Sequence, residues 1–179
     1  DMNKRFNDIL RQYDNEITEI NSIFQHNKTN PPVNKNQPPY SGAIAWSRSL
    51  FRRIKHTMLR LHTKEALMQT ELGKQIKSYY LRVAREMKAY EDGKFNEWKQ
   101  RMEQILPTLQ KRNVLKELPP RENENPLTPR YTIDFDPQLN EMMTEARYLE
   151  QFDYILPENI RHLALSVSIS KNNFKLILI

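Results

Sequence analysis

The chain has 179 residues, of which 28% are charged and 38% hydrophobic, and its mean hydropathy is −0.81. It contains no cysteine, which excludes disulfides, cysteine-ligated zinc and cysteine nucleophiles. No run approaches the ~18 apolar residues of a membrane-spanning helix, and no signal-like N-terminus is present. The formal net charge of +6 favours acidic partners. Glutamates are interleaved with the cations, however, so most of the cations are expected on solvated helix faces.

A first helix is predicted over residues 2–26, because apolar residues there recur alternately every four and three positions and so form an apolar seam along one side. The seam consists of Phe6, Leu10, Tyr13, Ile17, Ile20 and Phe24. It has two interpretations, one helix of an antiparallel bundle or a coiled coil with another chain. Fewer than four heptads are present, which favours the bundle. The polar, proline-interrupted stretch 26–37 ends the helix and lets the next one fold back.

A proline pair, Pro38 and Pro39, opens a second helix that we predict from about 41 to 69. Both prolines lack an N–H and disfavour a helical residue before them, so Ser41 is the predicted N-cap. Small residues around Gly42 allow the first turn to approach a neighbouring segment closely. One side of the helix is basic, and its cations are Arg48, Arg52, Arg53, Lys55 and Arg60. This face is either solvated or a partner-binding surface.

A long third helix is predicted from about 73 to 113, after a break at Leu72-Gly73. Its apolar seam passes through Tyr90 and, beyond Gly93, through Trp98, and core packing is the expected role of these aromatic side chains. Pro107 is expected to kink or restart the helix.

The last third of the chain combines a strand signal with further helix starts. A proline-rich linker, 119–130, precedes an alternating segment that ends at Phe135, and a short β-hairpin is expected near 114–135. Asp136 is a predicted N-cap with Pro137 at the first helical position, and a fifth helix begins in the same way after residue 157.

The predicted fold class is mainly α, an elongated antiparallel bundle, or bundles, of about five helices. The predicted organisation is a bundle over residues 1–118, the linker over 119–130, and a strand with a helix pair over 131–179 that starts the next bundle. The chain begins within a helical pattern and stops on an apolar run, 176–179, so we expect it to be a piece of a longer protein.

No pattern in the sequence indicates a catalytic or metal-binding site. The spacing of the histidines lacks the His-Glu-x-x-His pattern of a zinc site, and each is expected on the surface. They are His26, His56, His62 and His162. Glycine-rich nucleotide loops and nucleophile elbows are also absent from the sequence. The chain is therefore predicted to have no catalytic activity and to bind no metal or cofactor.

Three stretches resemble the N-terminal tail of dynein heavy chains, in the form of the axonemal (ciliary) branch. The first is Asn-Pro-Pro, a polar loop, and then Pro-Pro-Tyr-Ser-Gly-Ala-Ile-Ala-Trp-Ser-Arg-Ser-Leu-Phe-Arg-Arg-Ile-Lys. The second is Tyr-Glu-x-x-Lys-Phe-x-x-Trp, from Tyr90 to Trp98. The third is Phe-Asp-Pro-x-Leu, which begins at Phe135 and leads into the predicted fourth and fifth helices. Tyr40-Ser41 departs from the Val-Ala or Val-Ser of the family. The residues that carry the resemblance are Pro38, Pro39, Gly42, Trp46, Leu50, Phe51, Tyr90, Trp98, Phe135 and Pro137.

The resemblance implies a structural tail segment of a large heavy chain, an ATP-driven microtubule motor of cilia and flagella. It implies that ATP and Mg²⁺ bind elsewhere in the parent chain. The implied partners are intermediate and light chains, other heavy chains, and the doublet microtubule or its docking proteins, but not a membrane. The implied location is the cytoplasm and cytoskeleton, in the axoneme of a cilium or flagellum.

A basic helical nucleic-acid-binding module is the alternative that the residues themselves suggest. The net charge of +6 and the arginine-rich second helix support it. Against it, acidic residues are interleaved with the cations, and no groove-reading motif is present. Nucleic acid is therefore the less expected partner.

Overall fold

The computed structural model describes residues 2–111, 115–119, 130–133 and 136–165, and these are mainly α-helical, as the sequence predicts. The helices are α1 (Met2–Asn27), α2 (Pro39–His62), α3 (Glu65–Met68), α4 (Glu71–Lys111), α5 (Pro137–Gln151) and α6 (158–165). The strands β1 (Leu115–Leu118) and β2 (Arg130–Ile133) pair antiparallel and form the hairpin expected in this part of the chain. The chain divides into two compact units, Asp1–Asn96 and Glu97–Ile179.

In the first unit, α1 and α2 run antiparallel. Tyr13, in the first half of α1, lies under the guanidinium of Arg60 near the end of α2. Phe24, near the end of α1, instead stacks on Trp46 near the start of α2. The linker between the two helices therefore reverses the chain, which agrees with the prediction that its length lets α2 fold back.

The predicted apolar seam of α1 packs within this chain, in one core with residues of α2, α3 and α4. The bundle interpretation of that seam is thus the one the structure bears out. Full burial of each Leu or Ile side chain contributes roughly 1.5–3 kcal/mol, and this core holds several of them. Its buried members are Leu10, Tyr13, Ile17, Ile20, Phe24, Leu50, Ile54, Met58, Leu61, Leu67, Ile76, Val83 and Met87.

The start of α2 differs from the sequence prediction. The helix begins at Pro39, with Pro38 in an extended conformation at the N-cap position and no capping bond from a side chain. Proline suits the first helical position because the N–H that it lacks would have no partner in the helix. Ser41 therefore lies inside the first turn and is buried, so its prediction as the N-cap was wrong.

The end of α2 also differs, because two threonines set helix ends that apolar periodicity does not reveal. α2 stops at His62, where the Thr63 hydroxyl donates to a carbonyl of the last turn at 2.8 Å. After the single turn of α3, the Thr70 hydroxyl accepts the Gly73 N–H at 3.0 Å and caps α4. The predicted break at Leu72-Gly73 thus lies within the first turn of α4.

α4 continues through Gly93 and Pro107 without interruption, so Pro107 does not end or restart the helix. A proline removes one backbone hydrogen bond, which a helix of 41 residues tolerates. The two compact units meet in sequence between Asn96 and Glu97, inside this helix. The sequence placed the boundary at 119–130 instead, and most of that linker lies outside the described residues.

In the second unit, α5 begins as predicted. The Asp136 carboxylate accepts the N–H of Gln138 at 2.9 Å, and Pro137 occupies the first helical position. Among the described residues of this unit, the buried apolar ones are Trp98, Met102, Leu106, Leu139, Met142, Met143, Ala146, Leu149, Leu156 and Ile160. The apolar run 176–179 lies outside the described residues.

Alanine substitutions at two glycines of α4 are expected to change stability in opposite directions. A Cβ at Gly73 would overlap the carbonyl oxygen of Leu67, so Gly73→Ala should lower the free energy of unfolding by about 1–3 kcal/mol. Nothing lies within 4 Å of a Cβ at Gly93. Gly93→Ala should therefore raise the free energy of unfolding by about 0.5–1 kcal/mol, because alanine has the higher helix propensity. Urea unfolding followed by circular dichroism measures both. An increase in the free energy of unfolding for Gly73→Ala would contradict the close approach at Gly73, and a decrease for Gly93→Ala would contradict the open space at Gly93.

Candidate protein-docking surface

The turn into α2, which carries the resemblance to the dynein tail, has a packing role. Pro38 is buried and Pro39 is exposed at the start of the helix. Gly42 lies in the first turn, where a Cβ would overlap the side chain of Val33 from the preceding linker. Glycine at this position therefore lets the linker lie directly against α2.

Three aromatic rings from three different helices meet in the first unit, and we call Phe24, Trp46 and Tyr90 the aromatic triad. Phe24 stacks on Trp46 with ring centroids 5.8 Å apart and an angle of 20° between the planes. Tyr90 meets the other two rings edge-on, at 5.5 Å from Phe24 and 6.1 Å from Trp46. Such pairs are favourable beyond the area they bury, so the aromatic triad holds α1, α2 and α4 together.

Three of the remaining residues of the resemblance also pack, whereas the fourth that the structure describes, Pro137, is exposed. Leu50 belongs to the core of the first unit, and Phe51 is half-buried against it. Trp98 is 1% exposed in the second unit. Pro137 starts α5, and Phe135 lies outside the described residues.

Arg48, on the predicted basic face, is engaged within the chain. Its Nε lies 3.1 Å from Oε2 of Glu91 on α4. The Ser47 hydroxyl lies 3.4 Å from the other carboxylate oxygen of Glu91, whose side chain is 7% exposed. This nearly buried carboxylate therefore ties α2 to α4, because both of its oxygens face groups of α2.

Arg60 is engaged in a similar way with α1. Its Nη1 lies 3.4 Å from the Glu16 carboxylate, and its guanidinium carbon lies 5.2 Å from the centre of the Tyr13 ring. Two of the five predicted partner-binding cations thus contact residues of their own chain. The other three, which are exposed, are Arg52, Arg53 and Lys55.

A groove of ≈ 560 Å³ runs between α2 and α4 on the side of Arg52 and Lys55, and we call it the basic groove. Its cations are Arg48, Arg52, Lys55, Arg85 and Lys88. Its apolar lining comes from Phe51, Leu81 and Ala84, and Leu81 is 40% exposed. A surface with cations around an apolar strip is suited to binding another protein.

Sequence reasoning found the α2 side of the basic groove and missed the α4 side. Leu81, Arg85 and Lys88 follow at helical spacing and so share one face of α4. Periodicity identifies the buried face of each helix but does not tell which polar face of α4 borders α2. Leu81 offered a signal, since it is an apolar residue off the core seam.

Arg53 faces a different groove, which lies between α1 and α2 and has a volume of ≈ 400 Å³. Glu16 and Glu19 line this groove together with Arg53 and with Arg52, which borders both grooves. Charges of both signs therefore compensate one another there. The groove consequently has no strong preference for an acidic or a basic partner.

The described residues include no group of three or more histidines and carboxylates that could hold a metal ion. None of the helices in this part of the chain is long and apolar enough to span a membrane. All four histidines are exposed, and His162 lies 3.6 Å from Glu158 one turn earlier. Burial raises the pKa of the Tyr80 hydroxyl above its ordinary value, so this phenol is protonated at neutral pH.

Comparison with known proteins extends over nearly the whole chain. Residues 1–176 match the family described as "Dynein heavy chain, N-terminal region 1". Dynein axonemal heavy chain 10 of Homo sapiens is 43% identical over 149 residues, which cover 82% of this chain and 3% of that protein. In Chlamydomonas reinhardtii, the dynein-1-alpha heavy chain, flagellar inner arm I1 complex, is 35% identical over 175 residues, covering 97% of this chain and 4% of that protein. The dynein gamma chain, flagellar outer arm, of the same organism is 28% identical over 153 residues, which cover 86% of this chain and 3% of that protein.

This chain spans only 3% or 4% of the length of these relatives. The match concerns the N-terminal region of heavy chains, in agreement with the prediction that this stretch is not itself catalytic. The resemblance inferred from the proline-led motif is confirmed by the family match and by the axonemal relatives. The chain therefore belongs to the family of dynein heavy chain N-terminal regions and is similar to those of axonemal heavy chains.

Proposed function

We propose that this chain is a structural tail segment of an axonemal dynein heavy chain, an ATP-driven microtubule motor of a cilium or flagellum. The observation that carries the proposal is the match of residues 1–176 to the N-terminal region of dynein heavy chains. The names of the relatives, which are axonemal, flagellar inner-arm and flagellar outer-arm chains, support the placement in the axoneme. ATP and Mg²⁺ would act elsewhere in the parent chain.

The proposed role of the segment is assembly. It would support association with other heavy chains, binding of intermediate and light chains, and docking on the doublet microtubule or its docking proteins. A core shared by three long helices suits this role because close-packed interiors resist deformation and transmit load. The exposed cations Arg52, Arg53 and Lys55 supply charge for protein contacts.

Deletion of the segment from the full heavy chain tests this proposal. In ciliated cells that lack the endogenous chain, the tagged full-length protein should be recovered with isolated axonemes together with intermediate chains. The version without residues 1–176 should lose both associations and keep its nucleotide hydrolysis, because the segment is assigned to assembly and not to catalysis. Normal recovery of the deleted version with axonemes and intermediate chains would refute the assembly role.

The second candidate, a nucleic-acid-binding module, has the cations of the basic groove in its favour. The apolar lining of the same groove opposes it, because a phosphate backbone offers no apolar contacts. Gel shifts of the chain with duplex and single strands, at two salt concentrations, test it. No shift is expected at physiological salt, and a shift that weakens steeply with salt would revive this candidate.

A further inference from the structure

We propose that the basic groove binds an acidic amphipathic helix of another protein in the same assembly. This inference rests on the proposed function and specifies where a partner binds and what its chemistry is. The occupant would place an apolar stripe on the strip formed by Phe51, Leu81 and Ala84, and its carboxylates would face the cations on both sides.

The apolar strip gives the groove a feature that a solvated basic face lacks. Leu81 is one of four large hydrophobic residues that are exposed in the described part of the chain. It lies on α4 at i−3 from Ala84, while Phe51 faces the groove from α2. Two helices thus border an apolar channel, the arrangement in which a third helix lays its own apolar face.

The charge of the groove selects the sign of the partner. Arg48 is paired with Glu91 at 3.1 Å and Lys88 with Asp92 at 2.9 Å. Within the described part of the chain, no carboxylate pairs with the remaining three cations of the groove. These are Arg52 and Lys55 on α2, and Arg85 on α4. Cations therefore flank the apolar strip from both helices, and carboxylates on both edges of a partner helix would complement them.

The groove is better matched to a protein helix than to a phosphate backbone. Nucleic acid would leave Leu81 and Phe51 without apolar contacts. A disordered acidic tail without apolar residues would satisfy the cations but not the strip. Both are excluded by the proposal and serve as contradicting outcomes of its test.

Site-specific cross-linking in the intact assembly tests the proposal. A photoreactive benzoyl-phenylalanine replaces Leu81 in the full heavy chain, and a matched variant carries it at Leu59, an exposed leucine of α2 outside the groove. Mass spectrometry of isolated axonemes then identifies the attached peptide. We expect position 81, and not position 59, to attach to a net-acidic segment of another chain with apolar residues every three or four positions.

Charge reversal on the same heavy chain provides the second measurement. Arg52→Glu, Lys55→Glu and Arg85→Glu together should lower the cross-linking yield at position 81 about tenfold, because all three cations face the partner. The control reverses three exposed cations outside the groove, namely Arg11, Lys74 and Lys77. Each triple lowers the net charge of this segment from +6 to zero, so only the position of the charge differs.

Each outcome of these measurements decides the proposal. Attachment to nucleic acid, a basic segment, an acidic segment without apolar periodicity or a second copy of this chain would overturn it. Equal cross-linking yields from positions 81 and 59 would also overturn it. An equal loss of cross-linking at position 81 in the two triple variants would overturn it as well. If the heavy chain reaches the axoneme but position 81 behaves like position 59, or the groove triple behaves like the control triple, the proposed binding in the basic groove fails and the proposed function stands. If the unmodified heavy chain does not reach the axoneme, the proposed function itself fails.

Discussion

Phe24→Ala is expected to lower the free energy of unfolding of the first unit by about 3–5 kcal/mol. The side chain is 1% exposed and contacts both Trp46 and Tyr90. Truncation would leave a cavity where three helices meet and would remove two aromatic contacts. A loss of this size is a large part of the roughly 5–15 kcal/mol that stabilises a typical domain. Urea unfolding followed by tryptophan fluorescence and circular dichroism measures it.

Leu59→Ala is the matched control for this truncation. Leu59 lies on α2 and is 55% exposed, so its removal should change the free energy of unfolding by no more than about 0.5 kcal/mol. Phe24→Leu should fall between the two, because it keeps apolar volume but not the aromatic contacts. Unfolding of Phe24→Ala at the same urea concentration as Leu59→Ala would show that the aromatic triad does not stabilise the unit.

Glu91→Ala is expected to lower the free energy of unfolding by about 1–3 kcal/mol. The substitution would deprive the Arg48 guanidinium and the Ser47 hydroxyl of their carboxylate partner. Arg48 is 26% exposed and can partly rehydrate, which keeps the loss below that of a fully buried pair. A double-mutant cycle with Arg48→Ala should show that the two losses are not additive.

The exposed pair one residue further along α4 controls for charge removal alone. Asp92 accepts from Lys88 at 2.9 Å, one helical turn away, and both side chains are about half exposed. Asp92→Ala should therefore cost no more than about 0.5 kcal/mol. Equal losses at positions 91 and 92 would show that burial of Glu91 adds nothing to the interaction. Glu91→Ala should also increase cross-linking at position 81, because it removes the only carboxylate among the described groove residues.

The parts of the fold that follow from local chemistry could be predicted from the sequence. The seam from Leu10 to Phe24 identified the buried face of α1, because a 3.6-residue period places those side chains on one side. Asp136 followed by Pro137 marked the start of α5, because both residues act within a single turn.

The parts that depend on neighbours distant in sequence could not be predicted. The Ser41 cap was wrong for a local reason instead, because Pro39, two residues earlier, is already the first residue of the helix. Arg48 was grouped with the exposed cations because its partner, Glu91, lies 43 residues further along the chain. For the same reason the sequence predicted only the cations on the α2 side of the basic groove. The residues on its α4 side could be identified only once the structure placed α4 beside α2.

The two tryptophans of the chain give each compact unit its own optical reporter. Trp46 belongs to the first unit and is half-buried in the aromatic triad, whereas Trp98 belongs to the second and is almost fully buried. Trp46→Phe keeps an aromatic ring in the first unit and leaves an emission that comes from the second unit alone. Trp98→Phe does the reverse. Fluorescence from the two variants can thus follow the unfolding of each unit separately, without any attached dye.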